Sequence, residues 1–127
     1  GSKNVVENLS KKSKIHESRK DLNNHWSIFM NKLISIYINN GVSLFEQGEN
    51  TVIIPIELSN DIIDILEYLN FFILGGDLYK KNNNKFEHTY DNWYYEGNIQ
   101  SDSIIKTRKY LDNFKNDQNL YVSFVFK

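Results

Sequence analysis

Residue types that could do chemistry or make tight contacts are densest between Asp77 and Glu96, where Asp77, Tyr79, His88, Tyr90, Asp91, Trp93, Tyr94, Tyr95 and Glu96 fall within twenty positions. Two chemistries suit that set. Asp77, Asp91 and Glu96 could act as paired acids or as hard oxygen ligands for a divalent metal, with His88 as a base. The same stretch also has the make-up of a protein-binding anchor: Trp and Tyr bury large areas at small rotamer cost, and the carboxylates set charge complementarity. The catalytic reading lacks its other parts. The chain has no Gly-x-Ser-x-Gly, no His-Glu-x-x-His and no glycine-rich phosphate loop ahead of a helix, and no nucleophile, base and orienting group occur together. Binding is therefore expected through Asp77, Tyr79, Tyr90, Asp91, Trp93, Tyr94, Tyr95 and Glu96, with no catalytic residue, metal or cofactor. On this reading the rings form an open face, and Trp93→Ala weakens partner binding while leaving the fold intact.

The composition narrows the partners. With 127 residues the chain is sized for one domain with its own core. Absence of cysteine removes disulfides, thiolate metal sites and a thiol nucleophile, which suits the cytoplasm. A formal net charge of −1 gives no general field for a phosphate backbone, so nucleic acid is not expected as a partner. No stretch reaches the roughly 20 apolar residues of a membrane helix.

The elements that must position these residues are legible from periodicity. Residues 1–21 are polar and read as an N-terminal arm, partly an expression scar (Gly1-Ser2) and otherwise mobile; residues 22–127 read as one domain. Trp26, Phe29, Met30, Leu33 and Tyr37 recur at helical spacing, closed by Asn39-Asn40-Gly41. Thr51–Ile54 reads as a short strand ending at Pro55. A second helix follows, with Ser59 as N-cap and Ile62, Ile65, Leu66 and Leu69 buried. A hairpin spans 71–90, with a bulge expected at Gly75-Gly76 and a turn at 80–84. In its second strand Phe86, His88 and Tyr90 alternate with Glu87, Thr89 and Asp91. A third helix, capped near Ser101 or Asp102, points Ile104, Thr107, Leu111 and Phe114 inward, and a terminal strand runs from Leu120 to Phe126. The expected fold is α+β: a small antiparallel sheet of hairpin, terminal strand and short edge strand, covered by about three helices.

Three blocks carry a family resemblance: Ile73-Leu74-Gly75-Gly76-Asp77-Leu78-Tyr79, Tyr90-Asp91-Asn92-Trp93-Tyr94, and Ser103-Ile104 leading a helix with Arg108-Lys109-Tyr110. With the aromatic last strand, they resemble the immunity protein 40 family of bacterial polymorphic toxin systems over Leu33 to Phe126. The resemblance implies a cytoplasmic antidote that binds and blocks the C-terminal domain of a cognate toxin. It implies no catalytic residues. The alternatives are a small carboxylate-based or metal-dependent enzyme and a module that self-associates through the hairpin, as a homodimer in place of a monomer.

Overall fold

A computed structural model describes residues 19–127, with side chains from Asn24 onward. The expected arm thus lies outside the described residues except at its end, where Arg19, Lys20 and Asp21 already form the first turn of a helix.

Three α-helices and five strands alternate along the described chain: α1 (Arg19–Asn40), β1 (Val42–Ser43), β2 (Val52–Pro55), α2 (Ser59–Tyr68), β3 (Ile73–Asn82), β4 (Lys85–Tyr94), α3 (Gln100–Asp112) and β5 (Leu120–Phe126). The strands form one sheet in the order β1-β2-β5-β3-β4, every neighbour antiparallel. The α+β class follows as expected. The two-residue β1, which pairs Val42 with Ile53 and Ser43 with Val52, adds a strand beyond those expected.

The helices pack on one face of the sheet because each carries an apolar stripe. Phe29 and Leu33 of α1, Ile62, Ile63, Ile65 and Leu66 of α2, and Ile104 and Leu111 of α3 join Ile54, Ile73, Leu78, Trp93, Leu120 and Val122 in one core. Arg108 of α3 reaches back to Asp64 of α2 at 2.6 Å, tying two helices together at the surface. Trp26, expected in the buried stripe of α1, is instead exposed, as are Ile34 and Ile38.

The helix starts depart from expectation in detail. No side chain caps α2 or α3. The Ser59 hydroxyl donates to the Ile56 carbonyl instead, and Ser103 sits inside α3, where it donates to the Gln100 carbonyl (2.7 Å) and accepts the Ile73 N–H (3.1 Å). Buried Ser103 thereby fastens α3 to the start of β3, satisfying a backbone group that would otherwise be orphaned.

On the opposite face lies a second, smaller core. Leu44, Ile53 and Tyr79 are buried there, with Val42, Phe86 and Tyr121 packed around them. Leu44 belongs to the segment joining β1 to β2, which contains a single 3-10 turn, Phe45–Gln47, closed by Gly48 at φ 86°. This segment folds across the back of the sheet as a strap and reaches the hairpin.

Candidate protein-binding surface

Strand β4 lies at the edge of the sheet and does not run straight. Its register with β3 is Tyr79 to His88 on one side of an irregularity and Asp77 to Asn92 on the other, so Thr89, Tyr90 and Asp91 together face the single residue Leu78. Thr89 builds this bulge. Its hydroxyl donates to the Leu78 carbonyl and accepts the Asp91 N–H, both at 3.1 Å. Tyr90, between them, takes a left-handed backbone at φ 67° and turns its ring into solvent, where it is 88% exposed. A bulky residue at positive φ is uncommon, and holding it there costs on the order of 1 kcal/mol.

The Tyr90 ring is not isolated. It stacks on His88 with centroids 6.1 Å apart and planes at 28°, and His88 in turn lies 4.4 Å from the Tyr79 ring. The strap fixes this row from the side: Glu49 Oε1 meets His88 Nε2 at 2.5 Å and accepts the Tyr79 hydroxyl at 3.4 Å. Burial pushes Tyr79 up to about 12, helped by the negative charges of Glu49 and Asp77 and by the bond to Glu49. One turn earlier in the strap, the Gln47 side chain donates to the Phe86 carbonyl (2.9 Å) and accepts the Phe86 N–H (3.1 Å).

The eight residues expected to form one open face divide into three groups. Tyr90, Asp91, Tyr94 and Glu96 are exposed. Asp77 and Tyr95 are half-buried: the Asp77 N–H donates to Ser123 Oγ at 3.1 Å, and the Tyr95 hydroxyl accepts the Ile99 N–H at 3.0 Å, propping the loop into α3. Tyr79 and Trp93 are buried, which corrects the expectation of an open ring cluster. Trp93 points under α3, where its indole N–H donates to Thr107 Oγ1 at 2.9 Å, its ring stacks on Tyr110, and Phe124 meets it edge-on. Tyr110 is raised by its burial and then by the charges of Asp91 and Asp77. The rings therefore lie on both sides of the hairpin, and only Tyr90 and Tyr94 reach solvent fully.

Sequence reasoning missed Gln47 and Glu49; it placed His88 in the alternating strand, as a hydrogen-bonded or solvent-facing histidine, without naming its partner. Nothing in the run Phe45-Glu46-Gln47-Gly48-Glu49-Asn50 signals a contact with a strand almost forty residues later. Among the described residues, no group of three His, Cys, Asp or Glu side chains is placed to hold a metal ion, so Asp77, Asp91 and Glu96 do not converge as a ligand set. No helix of the described residues is long and apolar enough to cross a membrane.

What the surface offers is a strand edge with two projecting tyrosines and exposed carboxylates beside each. Neither the curated proteins nor the solved structures include a match to this chain. The family model for Immunity protein 40 matches residues 43–126, from the end of β1 through β5, leaving α1 outside the matched span. That span covers well over half of the chain, and it includes the strap, the hairpin and all three motif blocks. The chain belongs to the Immunity protein 40 family.

Proposed function

We propose that this protein neutralises a cognate bacterial toxin by binding its C-terminal domain, acting in the cytoplasm by contact and without chemistry of its own. Membership of an immunity-protein family implies a toxin as partner. The proposed contact surface runs along the outer part of β4 and its exit loop, through Tyr90, Asp91, Tyr94 and Glu96, with Asp77 and Tyr95 at its rim. Tyr79 and Trp93 support it from beneath. The observation that carries the reading is the display of Tyr90: a strained backbone and a two-bond bulge hold a large ring in water, where it does nothing for the core. Strain of this kind, maintained at a surface position, is typical of sites that meet something else. Rigid aromatics slow dissociation of a complex, and the exposed carboxylates speed the approach of a basic partner.

The test is a binding titration, by calorimetry, against the purified toxin domain encoded beside this chain. A 1:1 complex with nanomolar dissociation constant is expected, together with loss of toxin activity at equimolar antidote. Absence of a complex at micromolar concentration would overturn the proposal. If the chain instead cleaves or modifies the toxin, inhibition at catalytic amounts will reveal it.

A further inference from the structure

The two exposed tyrosines of β4 are partnered differently. Over the Tyr94 ring lies the ammonium of Lys106, 5.1 Å from the centroid, supplied by α3. Among the described residues only Tyr94 and Phe72 have a lysine so placed, and the Tyr90 ring, more exposed than that of Tyr94, has no cation over it. Yet the surroundings of Tyr90 favour one. Exposed Asp91 follows it in the chain, and Glu49, about a third exposed, is held at 2.5 Å from the His88 ring on which Tyr90 stacks. His88 lies to one side of the phenol, its ring centroid 6.1 Å away, and with Tyr90 88% exposed the ring is open to a partner. A ring quadrupole with carboxylates nearby attracts a positive side chain far better than an apolar one.

We infer that Tyr90 is a cation-receiving anchor: a basic side chain of the bound toxin domain, arginine before lysine, lies over its open face, with Asp91 and Glu49 supplying countercharge. Arginine suits the place better because its planar guanidinium stacks on a ring while its N–H groups reach a carboxylate. His88 acts as a positioning residue, since it stacks on the ring, while Glu49 both fixes His88 and adds negative charge beside the site. This inference rests on the proposed toxin-binding role and adds the chemistry of the contact.

The experiment compares dissociation constants for the toxin domain across three substitutions at one position. Tyr90→Phe keeps the ring and is expected to bind like the parent. Tyr90→Leu keeps apolar bulk and the same backbone demand but loses the ring, so it is expected to bind about tenfold more weakly. Tyr90→Gly removes the ring and relieves the left-handed strain; it is expected to melt at a higher temperature than the parent while binding at least as weakly as Tyr90→Leu. Parent affinity that falls with added salt, and falls less steeply in Asp91→Asn, supports the same contact. Equal binding by Tyr90→Leu and the parent overturns the inference and leaves the toxin-binding role standing, as does equal weakening in Tyr90→Phe and Tyr90→Leu. A parent chain that fails to bind overturns both.

Discussion

The indole N–H of Trp93 donates to the hydroxyl oxygen of Thr107 inside the core, across 2.9 Å, with Trp93 only 5% exposed and Thr107 fully buried. The pair joins the edge strand to α3 and satisfies two polar atoms that water cannot reach. Trp93→Ala leaves a ring-sized cavity and an orphaned hydroxyl, so it should cost about 3–5 kcal/mol of stability. Trp93→Phe keeps part of the packing but abandons Thr107, at a cost of about 1–3 kcal/mol. Urea unfolding followed by far-UV circular dichroism measures both. An unchanged midpoint for Trp93→Ala would show that the ring is not structural.

Gly76 is the β3 partner of both Trp93 and Phe124, and that close approach requires the absence of a side chain. A Cβ there would collide with the Ser123 carbonyl of β5 and with the Trp93 ring, one a fixed backbone atom and the other wedged under α3. Gly76→Ala is expected to lose more than about 3 kcal/mol. Gly48→Ala makes a useful contrast, since open space surrounds that position and only its φ of 86° resists a side chain. Its cost should stay near 1 kcal/mol. Thermal melts of the two variants should therefore differ widely.

The sequence makes the helices and the sheet's strands legible because each presents an apolar stripe of its own period. Ile62, Ile65 and Leu66, or Leu120 and Val122, leave little choice of face. The site is less legible, for two physical reasons. From Glu87 to Asp91 one side of β4 reads as polar and thus as solvent-facing. Cross-strand pairs share a face, however, and Glu87 pairs with Lys80 as Trp93 pairs with Gly76, on the side that α3 covers. Lys80 and Glu87 are exposed whereas Gly76 and Trp93 are buried, so this face is wet at Glu87 and dry at Trp93, and only the tertiary packing decides where it changes. The second reason is the strap. Its bonds from Gln47 and Glu49 join residues 39 apart, and no local propensity encodes them.

Gln47 occupies the place of a neighbouring strand. Its single amide bonds both the N–H and the carbonyl of Phe86, as an adjacent backbone would, on the strand that ends the sheet. Farther along, Thr89 takes up the Asp91 N–H. Edge strands with free backbone groups recruit other chains, and short blocks of this sort suppress it. Gln47→Ala should lower stability modestly, by about 0.5–1.5 kcal/mol, because the lost bonds are solvent-exposed. The larger effect should be on association: sedimentation velocity is expected to show mass rising with concentration in Gln47→Ala at concentrations where the parent stays constant. Identical profiles would show that the clamp does not guard the edge.

Tyr79 supplies a prediction in alkali. Tyr79 as a residue is 3% exposed, and its hydroxyl, bonded to Glu49, is pushed up to about 12; burial pushes Tyr37 to about 12 as well, against an ordinary value of 10.0. The folded protein therefore keeps two protons that the unfolded chain releases near pH 10. Between about pH 10 and 12 the unfolded state binds fewer protons than the native one, so stability falls as pH rises. The stabilisation is intact below pH 10 and is lost by about pH 12, roughly 1–3 kcal/mol for each tyrosine. Glu49→Gln removes the charge beside Tyr79 and should bring that hydroxyl part of the way back toward 10, but only part, because burial is the largest cause. Absorbance titration at the phenolate band should show Tyr37, Tyr79 and Tyr110 ionising late in the parent, and an earlier onset for one of them, Tyr79, in Glu49→Gln. A Glu49→Gln titration curve that superimposes on the parent would remove the strap carboxylate from the account of Tyr79 and leave burial alone to explain it.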